Sequence, residues 1–379
     1  STHEANLTRP VLVSNRERSP YLALEKTLEQ ALKYTGSRGK LLADKAPLPN
    51  WMNYLGWSTR LLNTSYTHNC VIHSLRNLIK QSIPIQFVLL EEGWQALSPA
   101  QRGSRQGISL NHFDADSQNF PKGLATLIKE IKAMGIAHVG ITHHAMGASG
   151  GINIQLARKY DLPPDNFGRY FLGYDLGKTF EFFHDYYTYL RQQGVSFINI
   201  SQQNYIHQYY RDGIDITRLF KHIQTAIQAA ASIHFDNAHI NQQCLRNENL
   251  FYWNSTRLVQ PAEPINFKST HGCNRYIRQH LSNSLWTQHL MQNQVDIWIS
   301  NHEHTEILGI FNALCGAPSI LADTMTHVNK SVLKRFVLPS GKLLNADHSL
   351  TLCSDSLFSN PEQEKSVYKA FSKGNHYLF

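Results

Sequence analysis

No stretch of this chain approaches the ~20 consecutive apolar residues that a helix needs to cross a bilayer, so a soluble, non-membrane protein is expected. Cysteine is scarce. Cys70, Cys244, Cys273, Cys315 and Cys353 are odd in number, widely spaced and without a C-x-x-C pair, which excludes a zinc knuckle or dithiol redox motif and favours a reducing compartment. Ser1 to Leu7 is polar rather than leader-like, so a cytoplasmic location is the expectation. Acidic residues are in deficit, 28 Asp+Glu against 36 Lys+Arg, giving a formal charge of +8. The surplus basic residues are dispersed rather than clustered, and no nucleic-acid partner is expected. Internal repeats and low-complexity tracts are also missing. What is present, 379 residues with 42% hydrophobic content and 11% aromatic, suffices for one large α/β core.

From Trp51 onward, short β-like runs alternate with longer amphipathic ones, the pattern of a parallel sheet with helical crossovers. Strands are predicted at Asn53–Trp57, Gln86–Leu90, His138–Thr142, Phe197–Ile200, His239–Gln242, Leu250–Trp253, Asp296–Ile299 and Ser319–Leu321. Apolar spacing of three and four predicts helices at Thr67–Gln81, Lys122–Met134, Lys178–Gln193, Ile216–Ile233, Arg275–Met291 and Thr305–Leu314. Eight such strands predict a closed (β/α)8 TIM barrel over residues 51–335. An N-terminal extension, 1–50, carries an extra helix at Pro20–Tyr34, with Ser19 as N-cap and Pro20 at the first helical position. Residues 336–379 form a turn-rich C-terminal extension around Pro339, Ser340, Gly341 and Pro361.

In such a barrel the chemistry gathers where strands end. The polar residues there are Ser58, Thr59 and Arg60; Glu91 and Glu92; His143 and His144; Ser201, Gln202 and Gln203; Gln242 and Gln243; Asn254 to Arg257; Ser300 to His304; and Asp323. His143, His144, His302, His304 and Glu91 together resemble a metal-ligand set, yet 20 histidines scattered along the chain explain much of that clustering, and neither metal nor cofactor is expected. Trp57 and Trp94 are read as a pocket floor or as the top of the barrel core.

At these junctions the sequence resembles glycoside hydrolase family 36, in its branch of raffinose synthases, seed imbibition proteins and alkaline α-galactosidases. Leu55-Gly56-Trp57-Ser58-Thr59 is similar to the family's GWCTW segment, and Leu89-Leu90-Glu91-Glu92-Gly93-Trp94-Gln95 to its IDDGWQ. His144 to Gly147 with Gly150-Gly151 resembles WHAxxGYWGG, and Gly194 to Gln203 resembles GVDxVKVDxQ. Ser300-Asn301-His302, Leu314 to Pro318, Val337 to Gly341 and Ser356-Leu357-Phe358 follow the family's SDH, AISGGP, LPDG and CLF segments in order. The resemblance implies a retaining α-galactosyl reaction run by two carboxylates about 5 Å apart.

Both implied carboxylate positions have changed. Where the family carries its nucleophile stands Ser201, preceded by Asn199-Ile200; the acid/base region after Arg257 reads Leu258-Val259-Gln260-Pro261-Ala262, with no acid before Glu263. An unactivated hydroxyl does not substitute for a carboxylate at an oxocarbenium-like centre. Elsewhere the family's sugar-binding Asp pair reads Glu91-Glu92, a later Asp reads Asn301, and aromatic platform positions read His143, Ala148 and Ser149. The expectation is therefore a catalytically degenerate barrel that binds a carbohydrate or polyol without hydrolysing it, through Trp57, Glu91, Glu92, Trp94, His143, His144, Asn199, Ser201, Gln202, Arg257, Asn301 and His302. Two alternatives stay open: an active glycosidase or glycosyltransferase with relocated carboxylates, Glu91, Glu92 and Glu263, and a protein-interaction scaffold with a vestigial pocket.

Overall fold

The computed structural model describes residues 12–34, 39–62, 66–99, 107–210, 215–250, 252–269, 271–324, 328–359, 361–364 and 367–372. Its centre is a parallel sheet of nine short strands: β1 Gly56–Ser58, β2 Phe87–Leu90, β5 His138–His144, β6 Phe197–Ser201, β7 His239–Asn241, β8 Leu258–Val259, β9 Gln292–Asn293, β10 Ile297–Trp298 and β11 Ile320–Leu321. Between β2 and β5 an antiparallel hairpin, β3 Gln95–Pro99 with β4 Ile108–Ala115, stands off the sheet. A second one, β12 Leu350–Leu352 with β13 Ala370–Ser372, closes the C-terminal side. The main sheet runs β10-β11-β1-β2-β5-β6-β7-β8-β9, so its two edges, β9 and β10, are separated by only Gln294-Val295-Asp296.

Crossover helices fall where apolar periodicity placed them: His68–Lys80 between the caps Thr67 and Gln81, Gly123–Ala133, Leu176–Gln192, Ile216–Phe235, Gly272–Leu290 and Thr305–Cys315. The extra helix occupies Pro20–Tyr34 as expected. Its Leu28 packs with Cys244, Trp253, Val259, Leu290 and Met291, and its Tyr21 hydroxyl donates to the Leu352 carbonyl at 2.6 Å.

One expected strand is corrected. The described residues of Leu250–Trp253 are not in the sheet, and the strand lies at Leu258–Val259. The cause is Gln228, whose amide donates to the Tyr252 carbonyl at 2.6 Å and whose oxygen accepts Asn254 N–H at 2.8 Å and Ser255 N–H at 3.0 Å. A side chain thus satisfies the backbone that a ladder would have paired. Trp253 spends its aromatic bulk stacked against Trp286, with centroids 6.4 Å apart.

Alternation with period two sorts the strand residues between two faces. Phe87, Leu89, Phe197, Ile240, Leu258 and Ile320 pack with one another and with Met52, forming an apolar plug on the inner face. Val88, Leu90, Val139, Ile141, Ile198 and Ile200 join the larger core under the helices. Continuing the inner parity towards the strand ends reaches Glu91, Thr142, Asn199, Ser201, Gln242 and Gln260. The plug needs small neighbours: a Cβ on Gly140 would collide with the Phe197 ring, and one on Gly56 with Phe87.

Beneath the sheet, Lys45 is buried with its Nζ donating to the Leu290 carbonyl at 2.6 Å. Burial, with Arg257 and Lys40 nearby, pushes its pKa down to about 7.

Two measurements follow from this packing. Gly140→Ala should lower unfolding free energy by about 1–3 kcal/mol in denaturant titrations, as overpacked cores do; an unchanged midpoint would show that the plug is loose. For Lys45 the unfolded chain holds the proton more tightly than the folded one, so stability should rise from pH 7 towards the ordinary lysine value near 10.5. Lys45→Met should flatten that rise, which has a ceiling of about 1.4 kcal/mol per pH unit for one proton.

Candidate functional site

Glu91 is the centre of the strand-end layer. It is buried, and its carboxylate accepts the Ser58 hydroxyl at 3.0 Å and the Thr142 hydroxyl at 2.7 Å, from the strands on either side of β2. The Arg60 guanidinium lies 3.8 Å from Glu91 and 3.2 Å from Asp296, bridging the two acids. Asp296 is fixed in turn by the Ile265 N–H at 2.9 Å. Burial raises the Glu91 pKa above the usual carboxylate range, while Arg60, Thr142 and Ser58 oppose it. Asn199 donates to the Thr142 hydroxyl at 2.9 Å, leaving its own Oδ1 buried without a protein partner.

Beside this layer, Ser201 ends β6 with its hydroxyl donating to the Glu92 carboxylate. Glu92 is itself solvent-exposed. Next along the rim, Gln202 takes a left-handed backbone, φ 62°, and its N–H donates to Gln243 Oε1 at 3.2 Å. Glu263 then ties three loops together, accepting Asn204 Nδ2 at 3.1 Å and Gln243 Nε2 at 3.2 Å. Both of its oxygens are therefore occupied by amides from the β6 and β7 loops. These two hydrogen bonds make Glu263 a clamp of the rim.

Several expected ligand residues lie elsewhere. His143 has outer parity and is fully buried beneath the helices, its Nε2 3.0 Å from the Tyr187 hydroxyl and its pKa pushed down to about 4 by burial. Arg257 precedes β8, at the end of the strand opposite Gln260, and donates to the carbonyls of Leu42 (3.2 Å), Lys45 (3.0 Å) and Ala46 (3.3 Å). It anchors the underside and does not reach the strand-end layer. The reason for the misplacement is the six-to-eight-residue shift of the strand already described. Trp57 and Trp94 are both fully buried and spend their indole N–H groups on the carbonyls of Asp323 (2.8 Å) and Thr142 (2.9 Å), which makes them supports under the layer and not exposed platforms.

His144 does face inward. Met146 N–H donates to its Nδ1 at 3.0 Å, so Nε2 carries the proton and donates to the Tyr209 hydroxyl at 3.1 Å; burial pushes its pKa down to about 3 and keeps the ring neutral. Asn301 is exposed on the loop after β10, where His302 packs edge-on against Phe267 at 5.0 Å. Among the described residues no three His, Cys, Asp or Glu side chains are placed to share a metal ion. Sequence reasoning missed Asp296 as a site residue; its signal was a lone acid directly ahead of the apolar Ile297-Trp298-Ile299.

A parallel α/β sheet with its polar layer at the carboxyl ends of the strands is a fold that this structure shares with solved glycosidases. A family 27 β-L-arabinopyranosidase of Geobacillus stearothermophilus, solved with arabinose, matches with TM-score 0.54 and 11% identity, over 81% of each chain. A family 36 α-galactosidase of the same organism, solved with 1-deoxygalactonojirimycin, matches with TM-score 0.50 and 12% identity, over 84% of this chain and 44% of that one.

At the level of sequence, residues 155–377 match the family described as raffinose synthase or seed imbibition protein Sip1. That is more than half of the chain, which belongs to this family, the branch that the strand-end motifs resemble. Probable galactinol–sucrose galactosyltransferase 1 of Arabidopsis thaliana is 22% identical over 393 residues, covering 92% of this chain and 51% of that protein. Probable galactinol–sucrose galactosyltransferase 6 of the same plant is 21% identical over 352 residues, 84% of this chain and 47% of that protein. The chain spans about half the length of these relatives. No described helix is long and apolar enough to cross a membrane.

The Glu91 environment makes a signed prediction. A carboxyl whose folded pKa is raised stabilises the protein below its unfolded pKa, and that stability is lost as pH rises through the folded value. Unfolding free energy should thus fall as pH climbs from about 4.5, and Glu91→Gln should remove that component. Parallel pH profiles for the two proteins would contradict the buried, proton-retaining Glu91.

Proposed function

We propose that this chain is a carbohydrate-binding member of its family that does not perform retaining galactosyl transfer at the positions the resemblance implies. We also read Gln292–Trp298 as one interrupted strand, so that β8 pairs with its first half, β11 pairs with its second, and the sheet closes as an eight-stranded (β/α)8 barrel. Retaining chemistry needs an ionised carboxylate aimed at the anomeric carbon and a second carboxyl to protonate the leaving oxygen. The observation that carries the proposal is Ser201: the strand end that would present the nucleophile offers a hydroxyl, and that hydroxyl is spent as a donor to Glu92. The carboxylate that accepts it belongs to Glu92, on an exposed side chain and not on the strand. Glu263, the nearest acid after β8, is held by two amides in the rim.

What remains suits a polyhydroxylated ring. Asn199 Oδ1 lacks a protein partner, so a sugar hydroxyl admitted to the layer would satisfy it and recover the cost of burying an acceptor. Gln242 and Gln260 present amides on the same face, and the exposed Glu92 carboxylate accepts further hydroxyl donors at the edge of the layer.

One observation favours a second reading. Glu92 reaches the Ser201 position, so its carboxylate stands beside the place a nucleophile would occupy. In that reading Glu92 is a relocated catalytic acid and the chain is an active glycosidase or glycosyltransferase.

The two readings separate in one experiment on wild type and Glu92→Gln, with an aryl α-galactoside as turnover substrate and α-galactosides as thermal-shift ligands. Binding without catalysis gives a melting temperature that rises with ligand and no release of aryl alcohol above the protein-free rate. Release that Glu92→Gln abolishes establishes the relocated acid and overturns the proposal. Neither release nor a shift removes the carbohydrate reading altogether.

A further inference from the structure

Helices Leu176–Gln192 and Ile216–Phe235 pack against each other, with the buried Tyr187 and Phe235 rings 5.4 Å apart between them. Beside that pair two half-buried histidines meet. His234 Nε2 lies 3.1 Å from His184 Nδ1, and the ring centroids are 4.8 Å apart. The strand-end layer does not use them: His234 sits in the last turn of its helix, which leads into the amino end of β7, whereas Glu91 lies at the carboxyl ends of the strands.

Thr188 fixes where the shared proton sits. Its hydroxyl donates to the His184 carbonyl at 2.8 Å, and its oxygen lies 3.4 Å from His234 Nε2. His234 Nε2 is therefore the donor, shared between the His184 Nδ1 lone pair and the Thr188 oxygen. One proton thus joins three Lewis-basic atoms from two helices. A cation in its place finds the imidazole nitrogens correctly spaced, because two nitrogens about 2.0–2.1 Å from one metal ion lie roughly 2.9–3.4 Å apart, from right-angled to tetrahedral geometry. The displaced proton moves to His234 Nδ1, and both rings stay neutral.

The surroundings favour a ring ready to coordinate. Burial, with His184 and Arg191 nearby, pushes the His234 pKa down, so protons compete weakly for its lone pair near neutrality. The carbonyl end of helix Ile216–Phe235 attracts positive charge. Arg191 opposes it, with its guanidinium 5.9 Å from the Phe235 ring centre and donating to the Val195 carbonyl at 3.3 Å. Asp185, next to His184, already accepts Lys159 at 2.7 Å and Tyr160 at 2.9 Å, so its charge is balanced elsewhere.

From this geometry we propose that His184 and His234 form a two-imidazole site for a borderline divalent cation, zinc, nickel or copper, which staples the two helices together. Imidazole suits these ions, whereas magnesium and calcium take oxygen ligands. Two protein nitrogens are fewer than the four ligands of a closed structural zinc site, so solvent beside the Thr188 hydroxyl completes the sphere and the affinity is moderate. An ion that binds only the folded arrangement raises its stability.

The test is calorimetric titration of the metal-stripped 379-residue chain with zinc, and with magnesium as hard-ion control, repeated on His184→Gln and His234→Gln. Comparison with the variants isolates this site from the other histidines of the chain, and circular dichroism checks that each variant folds. Zinc should bind wild type, weaken at least about tenfold in either variant, and raise the melting temperature of wild type alone, while magnesium gives no binding. Electron paramagnetic resonance of wild type with one equivalent of copper should show coupling to two imidazole nitrogens, a readout that needs no variant. Zinc that binds the folded variants as tightly as wild type, or fails to bind wild type, overturns the site. A copper signal without a second nitrogen, or magnesium binding that the variants abolish, overturns it equally.

Discussion

Everything at the strand ends depends on two-residue alternation held by the inner apolar plug. Phe87, Leu89, Phe197, Ile240, Leu258 and Ile320 fill the space that the curled sheet encloses, and the absence of side chains at Gly56 and Gly140 makes room for the phenylalanine rings. A slip of one residue in any strand would exchange every inward group for its outward neighbour. Glu91 would trade places with Leu90, and Asn199 with Ile198 or Ile200. The hydrophobic plug thus determines which polar residues meet, although none of them touches it in a specific way.

That constraint explains what could be read from the linear sequence. Helices such as Pro20–Tyr34 and Thr305–Cys315 follow from apolar spacing and end caps, and strands β2, β5 and β6 from compact runs of branched and aromatic residues. Reading failed where the signal was non-local. Gln292–Asn293 carries no apolar character and still pairs in parallel with Leu258–Val259. Leu250–Trp253 has the composition of a strand, but Gln228 from a distant helix supplies the hydrogen bonds that would otherwise have come from the sheet. Parity was the second difficulty. His143 and His144 look equivalent in sequence, yet one is packed under helices against Tyr187 and the other looks inward to Tyr209.

The rim holds a carboxylate, Glu263, whose two oxygens are both engaged by protein amides. Glu263 has the right residue type and the right side of the sheet, and its neighbours Asn204 and Gln243 turn it into a joint between loops. A general acid must exchange a proton with substrate oxygen, which requires an oxygen facing the substrate. Glu91 illustrates the opposite limit. Burial favours its neutral form, whereas the Ser58 and Thr142 hydroxyls and Arg60 favour its anion, so its charge is set by a balance internal to the layer.

Ser201 and Glu92 bring these two tendencies together. At the strand end where the resemblance implies a carboxylate, Ser201 offers a hydroxyl, and Glu92 places its own carboxylate within a hydrogen bond of it. The charge therefore persists at the edge of the layer, while the atom on the strand itself becomes a donor. In the function proposed above, such an exchange is compatible with hydroxyl recognition, because carboxylate, amide and hydroxyl groups all bond to sugars. It alters the one property that retaining catalysis requires, an anionic oxygen held rigidly by a strand and aimed at carbon. Recognition tolerates a carboxylate at the end of an exposed side chain, and covalent chemistry depends on where that oxygen is fixed.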